Sequence, residues 1–300
     1  MAEKTEVTEA ATKKKTFLDI DWAFQLKYES VPVYSLAAQR NAYRLFSDMV
    51  LHLQHFDDTI EARPIRGLQL RLECESDLIP PEVWEIGSLA PGQSLRVQDR
   101  PIELPDDYLF NLSDGVTLRF DFVLEFHSDG SRRTLASEHI KLLPANFWGG
   151  ESRQPELLAA FVKPNGGYVE SLVRQATELM DSNGHGRAAD GYQSGTREKP
   201  YIMAMALWNV VLAQKLSYVS PPPSFANQGQ LIRLAREISN YKIAACLDLS
   251  ALFASCLELM DLNPVIALTQ EHAFVGVWLI DTCFPLLTND DPMDLRKRVD

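Results

Sequence analysis

The hydrophobic period of this chain changes near Asn146, and that change limits what the chain can fold into. Before it, apolar and polar residues alternate in short runs: Leu68-Gln-Leu-Arg-Leu-Glu-Cys74, Ser94-Leu-Arg-Val97 and Val116-Thr-Leu-Arg-Phe-Asp-Phe-Val-Leu-Glu-Phe126. A period of two puts every second side chain on one face of a strand. Turn signals, Ala90-Pro-Gly-Gln93 and Ser128-Asp-Gly130, lie between the runs. Val50-Leu-His-Leu-Gln-His-Phe56 is a further strand of this kind, with His52 on its outward face. Such strands predict an antiparallel β-sandwich of immunoglobulin-like kind over residues 17–145. Residues 1–16, rich in Glu, Lys, Thr and Ala, predict a disordered tail. After Asn146-Phe-Trp-Gly-Gly150 the spacing turns helical, with helices expected to start at Pro155, over 168–180 and, amphipathic and carrying Trp208, over 201–215. The fold class expected is α+β, with a second domain over 146–300.

Residues 181–199 are polar and Gly-rich and include Asn183-Gly-His-Gly-Arg187. No strand immediately precedes them and no Gly-Lys-Ser/Thr follows, so they predict a mobile surface loop rather than a phosphate cradle. Pro221-Pro-Pro223 then forces an extended connection toward Arg233 and Arg236.

The chemistry concentrates in Cys246-Leu-Asp-Leu-Ser-Ala-Leu-Phe-Ala-Ser-Cys256 and Glu271-His-Ala-Phe-Val-Gly-Val-Trp278. Apolar residues at Leu249, Phe253, Cys256, Leu257 and Met260 mark the buried face of a helix that Cys246 opens. A cysteine in a first helical turn feels the positive end of the macrodipole, which favours thiolate. Ala244-Ala245 before it lets backbone N–H groups approach an oxyanion, whereas Cys256, mid-helix, reads as core. Residues 264–268 and 272–280 are expected as strands, the second a central one because both its faces are apolar. It carries His272 as general base, or as the imidazolium of an ion pair. Trp278 reads as a core anchor.

Upstream, Gln228 and Gln230 are candidates for an oxyanion-hole side chain, with Gln230 preferred; the plainer alternative is a surface amide in a loop. Asp281, nine residues along the expected strand, would stand roughly 30 Å from His272 and could not orient it unless the strand folds back. Asp290, Asp291 and Asp294 fall in a loop and a short helix capped by Asp291 with Pro292 at its first position. The third member of a triad is therefore expected beyond residue 300, with the second domain truncated at its C-terminal sheet.

Cys-Leu-Asp-Leu-x-x-Leu-Phe followed by His-Ala-Phe-Val-Gly-Val-Trp resembles the transglutaminase-like, papain-related superfamily, in which a helix-borne cysteine, a strand-borne histidine and an acid on the next strand form a triad. Asn146-Phe-Trp-Gly-Gly150, Pro155-Glu-Leu-Leu-Ala-Ala-Phe-Val-Lys-Pro-Asn165 and Pro221-Pro-Pro-Ser-Phe225 with Gly229-Gln-Leu-Ile-Arg233 extend the likeness. They are similar to the N-terminal region of large bacterial superfamily-1 helicase-related proteins, several from phage-defence loci. There a β-sandwich and a transglutaminase-like module precede a helicase and nuclease-like remainder. The resemblance implies Cys246 and His272 as the catalytic pair, an acid on a later strand, and a helicase or nuclease region or subunit as partner. Ala244-Ala245 stands where the relatives carry Gly-Thr. The implied activity is thiol acyl transfer of peptidase or amidase type on a protein or peptide. A transglutaminase-like module without activity, serving as sensor or docking platform, is the alternative; a cross-linking transglutaminase has the same residues, but no lysine-donor site is visible.

At 46% hydrophobic residues, 300 residues can bury one large core or two moderate ones. A net charge of −12 argues against phosphate contacts, so this segment is not expected to bind nucleic acid. Cys74, Cys246, Cys256 and Cys283 show no CxxC spacing, so neither a metal site nor a redox pair is suggested, and no cofactor is expected. The charged start lacks a signal region and no run is long enough for a membrane span. With reduced thiols, these features predict a cytoplasmic protein.

Overall fold

The computed structural model describes residues 24–54, 64–77, 79–151, 155–220, 229–269 and 271–297. The tail over 1–16, the stretch 221–223 and Gln228 lie outside the described residues. The chain is mixed α+β and divides into two compact units, residues 1–142 and 143–300.

In the first unit, alternation becomes strand directly. β1 (Phe24–Ser30), β2 (Val33–Tyr34), β3 (Phe46–Leu53), β4 (Ile65–Cys74), β5 (Glu82–Leu89), β6 (Ser94–Arg96), β7 (Val116–Phe126) and β8 (Arg132–Leu142) form two sheets. One is three-stranded, in the order β1-β3-β6, and the other five-stranded, in the order β2-β8-β7-β4-β5. All pairs are antiparallel except β2 with β8. Leu68, Leu70 and Leu72 of β4 are buried, as are Phe120, Phe122, Leu124 and Phe126 of β7. Each such side chain contributes roughly 1.5–3 kcal/mol by leaving water. Rings from the two sheets meet: Phe24 and Phe126 edge-on at 5.7 Å, Phe46 and Phe122 at 4.9 Å. On the opposite face of β4, Arg71 contacts Glu73 at 3.1 Å and Glu125 at 3.5 Å, and Arg132 pairs with Glu73. His52 bonds Ser94 at 3.0 Å across β3 and β6.

The second unit is built on helices. Its elements are β9 (Phe147–Trp148), a 3-10 turn over Pro155–Phe161, α3 (Gly167–Ser182), α4 (Glu198–Ala213), β10 (Ser217–Tyr218), β11 (Gln230–Leu231), α5 (Ala235–Tyr241), β12 (Ile243–Ala244), α6 (Cys246–Leu259), β13 (Pro264–Leu268), β14 (Ala273–Val277) and α7 (Pro292–Arg296). The short helices of the first unit, α1 (Leu36–Arg40) and α2 (Asp106–Asn111), complete the numbering. Val169, Leu172, Val173, Ala176 and Met180 of α3 form one face and bury in a common core with Met203, Leu207 and Val210 of α4, Leu252 and Cys256 of α6, and Met260 just after it. The cap predicted for the last helix is present: Asp291 accepts from the Met293 N–H at 2.8 Å, with Pro292 in the first turn.

Four expectations need correcting. α4 is not simply amphipathic, because its solvent face carries Tyr201, Met205, Trp208 and Leu212. The segment over 272–280 is not one central strand: β14 spans Ala273–Val277 and pairs only with β13, among the described residues. The chain leaves the strand at Trp278 because the two roots of the hairpin are tied together. The Trp278 N–H donates to the Asn263 carbonyl at 3.2 Å, Tyr192 Oη donates to the Trp278 carbonyl at 2.8 Å, and the Asn263 N–H donates to Tyr192 Oη at 3.0 Å. Asp281 therefore folds back, accepting from Asn263 Nδ2 at 3.2 Å. The same ties anchor one point of the 181–199 segment that the sequence presents as a free loop.

Candidate functional site

Cys246 is placed by two short elements and one carboxylate. β12 runs parallel to β10, with Ser217 opposite Ile243 and Tyr218 opposite Ala244. The Ser217 N–H donates to the Lys242 carbonyl at 2.8 Å and the Val219 N–H to the Ala244 carbonyl at 3.0 Å. Ala245 is extended (φ −91°, ψ 175°) and the helix begins at Cys246. Asp248, in the first turn of α6, reaches back to the Ala245 N–H at 2.8 Å, satisfying a donor that helix starts leave open. Its carboxylate also takes the Arg233 N–H at 2.8 Å and the Arg233 guanidinium at 3.1 Å. Asp248 is fully buried, and these three donors compensate its charge. The sequence suggests only a dipole role for it; its structural role is to join the Arg233 segment to the start of α6.

Cys246 is buried, and the pairing of β10 with β12 makes Tyr218 its neighbour. Burial, followed by the neighbouring Cys246, raises the Tyr218 phenol above its ordinary range. Tyr218 is nevertheless 52% exposed. Ten residues along α6, Cys256 is fully buried, and burial pushes its thiol up to about 12. It is core, as its mid-helix position predicts.

His272 sits in the turn before β14. Its backbone is held there: the Thr269 N–H donates to the His272 carbonyl at 2.8 Å, and the His272 N–H to Thr269 Oγ1 at 3.0 Å. Its side chain is exposed, and no hydrogen bond joins it to Cys246 among the described residues. The hairpin that carries it packs on the core through Val275 and Val277.

Gln230 is not a surface amide. It is 4% exposed in β11, paired antiparallel with Trp148 of β9, and neither its amide oxygen nor its nitrogen has a hydrogen-bond partner among the described residues. Gly229 makes this approach possible. Its φ is +76°, and a Cβ there would lie 1.9 Å from the Trp148 carbonyl oxygen. Three residues past Gln230, Arg233 binds Asp248, so β11 and the start of α6 share one support. Trp278 is buried, as expected of a core anchor, with Phe284 edge-on at 5.3 Å. Among the described residues, no cluster of His, Cys, Asp and Glu could hold a metal ion, and no helix is long and apolar enough to cross a membrane.

Sequence reasoning missed Tyr218. Its only signal is the short run Ser217-Tyr-Val219 after α4, which reads as a strand but does not reveal its parallel partner 26 residues away.

The class these observations define is a mixed α+β protein whose second unit presents a buried cysteine at a helix start whose first turn carries a buried carboxylate. No protein-family model matches the chain, and no curated protein matches it.

Proposed function

We propose that the second unit is a cysteine-dependent acyl-transfer domain of peptidase or amidase type, acting on a protein or peptide. The observation that carries this reading is the start of α6: a buried cysteine opens the helix directly after the extended Ala245, where backbone N–H groups have no partner within the helix and the macrodipole is positive. In the reaction, Cys246 Sγ bonds to the amide carbon and the carbonyl π electrons move to oxygen, where the Cys246 N–H stabilises the charge. His272 passes the thiol proton to the leaving amine, and water then cleaves the thioester. Gln230, buried with an unpartnered amide, is the candidate second donor to the oxyanion.

The transglutaminase-like resemblance supports this assignment. It extends the reading to an immunoglobulin-like sandwich in the first unit, a third acid on another strand, and a cytoplasmic helicase or nuclease partner of the phage-defence kind. The exposed His272 favours a second reading, an inactive transglutaminase-like module that docks other proteins.

Alkylation of the 300-residue chain at neutral pH separates the two. The catalytic reading expects one fast-reacting thiol, absent in Cys246→Ser and slowed in His272→Ala. Uniformly slow alkylation, unchanged by His272→Ala, would leave only the docking module.

A further inference from the structure

We infer that the outer face of the β13–β14 hairpin is the floor of a binding site for a small carboxylate with an apolar body. The site is independent of the acyl-transfer reading, because Cys246 is not among the residues that line this hollow.

The hairpin has two faces. Val275 and Val277 pack on the core, which turns Phe274 and Gly276 outward. Register sets Val265 opposite Gly276 and Ala267 opposite Phe274, so β13 adds two apolar positions to the outward face. Ile280 beyond β14 and Leu295 of α7 wall the same hollow, whose volume is about 580 Å³. Small-molecule sites run from roughly 300 to 1,000 Å³. Gly276 keeps the floor low: it lies in strand backbone, and a Cβ there would meet only the Val265 carbonyl oxygen, at 4.0 Å.

Two observations give the occupant its charge. The charged side chains among the described lining residues are both cationic: Arg197, just before α4, and Lys297, just after α7. Lys297 Nζ lies 3.4 Å from Asp294 Oδ1 in an exposed pair, a weak contact with which a bound anion competes. The second observation is Trp278, which lines the hollow at 7% exposure and whose Nε1 has no hydrogen-bond partner among the described residues. A buried N–H of this kind calls for an acceptor. A carboxylate brings two acceptor oxygens and one negative charge, and leaves the rest of the ligand apolar to match the floor. A phosphate, with nearly two charges and three strong acceptors, asks for more donors than this mainly apolar lining holds.

The test uses the 300-residue chain and two probes, decanoate and decanol, which share a chain length and differ in charge. Titration calorimetry compares the parent with Gly276→Leu, which fills the hollow, and with the double variant Arg197→Gln, Lys297→Gln, which neutralises it at two exposed positions. Thermal unfolding of each variant checks that the fold is kept. Decanoate is expected to bind the parent at one site, and decanol roughly tenfold more weakly. The double variant should lose about tenfold in decanoate affinity, the worth of one charge-assisted hydrogen bond. Gly276→Leu should lose all measurable binding. No saturable binding to the parent, or full binding to a folded Gly276→Leu chain, overturns the site. Decanol bound as tightly as decanoate, or a double variant of unchanged affinity, overturns the carboxylate, and the double variant decides alone if Gly276→Leu does not fold.

Discussion

The two units handle polarity in opposite ways. In the first, charge lies on the solvent face of the five-stranded sheet, where Arg71, Glu73, Glu125 and Arg132 cross-link β4, β7 and β8, while rings and leucines fill the inner face. In the second, a carboxylate lies fully buried at the start of α6, and a row of large apolar side chains on α4 faces solvent. A sheet that only has to stay folded sorts its residues by solubility. At the start of α6 the Ala245 N–H and the Arg233 N–H and guanidinium need an acceptor inside the unit, so a charge is buried there.

Breaking the polar support in each unit should therefore give very different effects. Asp248→Ala leaves the Arg233 guanidinium and two backbone donors without their acceptor, and is expected to cost about 3–5 kcal/mol in the unfolding transition of the second unit. Removing a surface charge of the first unit by Glu73→Ala is expected to cost less than about 1 kcal/mol, and less still in high salt. Denaturant midpoints followed by tryptophan fluorescence and far-UV circular dichroism would check both. Equal losses would refute the contrast.

The next effect is alkaline. Burial raises the Cys256 thiol from 9.0 to about 12, so in the folded chain it keeps its proton where the unfolded chain has lost it. Its stabilising share is complete below pH 9 and disappears as pH rises toward 12, at about 1 kcal/mol per pH unit. Tyr34 in the first unit, buried and raised from 10.0 to about 12, behaves alike one unit later. Unfolding midpoints between pH 8 and pH 11 should fall earlier for the second unit than for the first. Cys256→Ala should flatten that fall. A slope unchanged by Cys256→Ala would rule out this thiol as its source.

Two glycines sharpen the comparison at smaller scale. Gly130 closes the β7–β8 turn at φ +69° with open space where a Cβ would go, so Gly130→Ala costs only the left-handed backbone, about 1 kcal/mol. Gly229 combines φ +76° with a clash against the Trp148 backbone, so Gly229→Ala is expected to cost more, about 2 kcal/mol or above, and to separate β11 from β9. The smallest effect is expected at Trp208, 56% exposed against Phe253 of α6, where replacement by Ala should change stability by less than about 1 kcal/mol. A larger loss there would make the ring part of the core.

Period two in Val116–Phe126 predicts β7 over its full length, because a strand with one wet and one dry face must alternate. The start of α6 at Cys246 is legible for a similarly local reason, the helical spacing of Leu249, Phe253 and Cys256. What could not be read depends on partners far along the chain. An apolar run over 272–280 looks the same whether it ends at Val277 or Ile280, and Tyr192, distant in sequence, decides it. Gln230 looks like any loop amide until β9 pairs with it. The parallel bridge that sets Tyr218 opposite Ala244, just ahead of Cys246, leaves no periodic trace, since two-residue strands are too short to alternate.

Tyr192 also bears on the order of events in folding. Its phenol lies 71 residues from Asn263 and 86 from Trp278, yet it bonds to both roots of the β13–β14 hairpin. Contacts of such sequence separation close late, after local helices have condensed. The helices should therefore gain amide-exchange protection first, and the hairpin that carries His272 should dock as the final step. Tyr192→Phe would then leave the folding rate nearly unchanged and accelerate unfolding, a signature of contacts made only on the native side of the barrier.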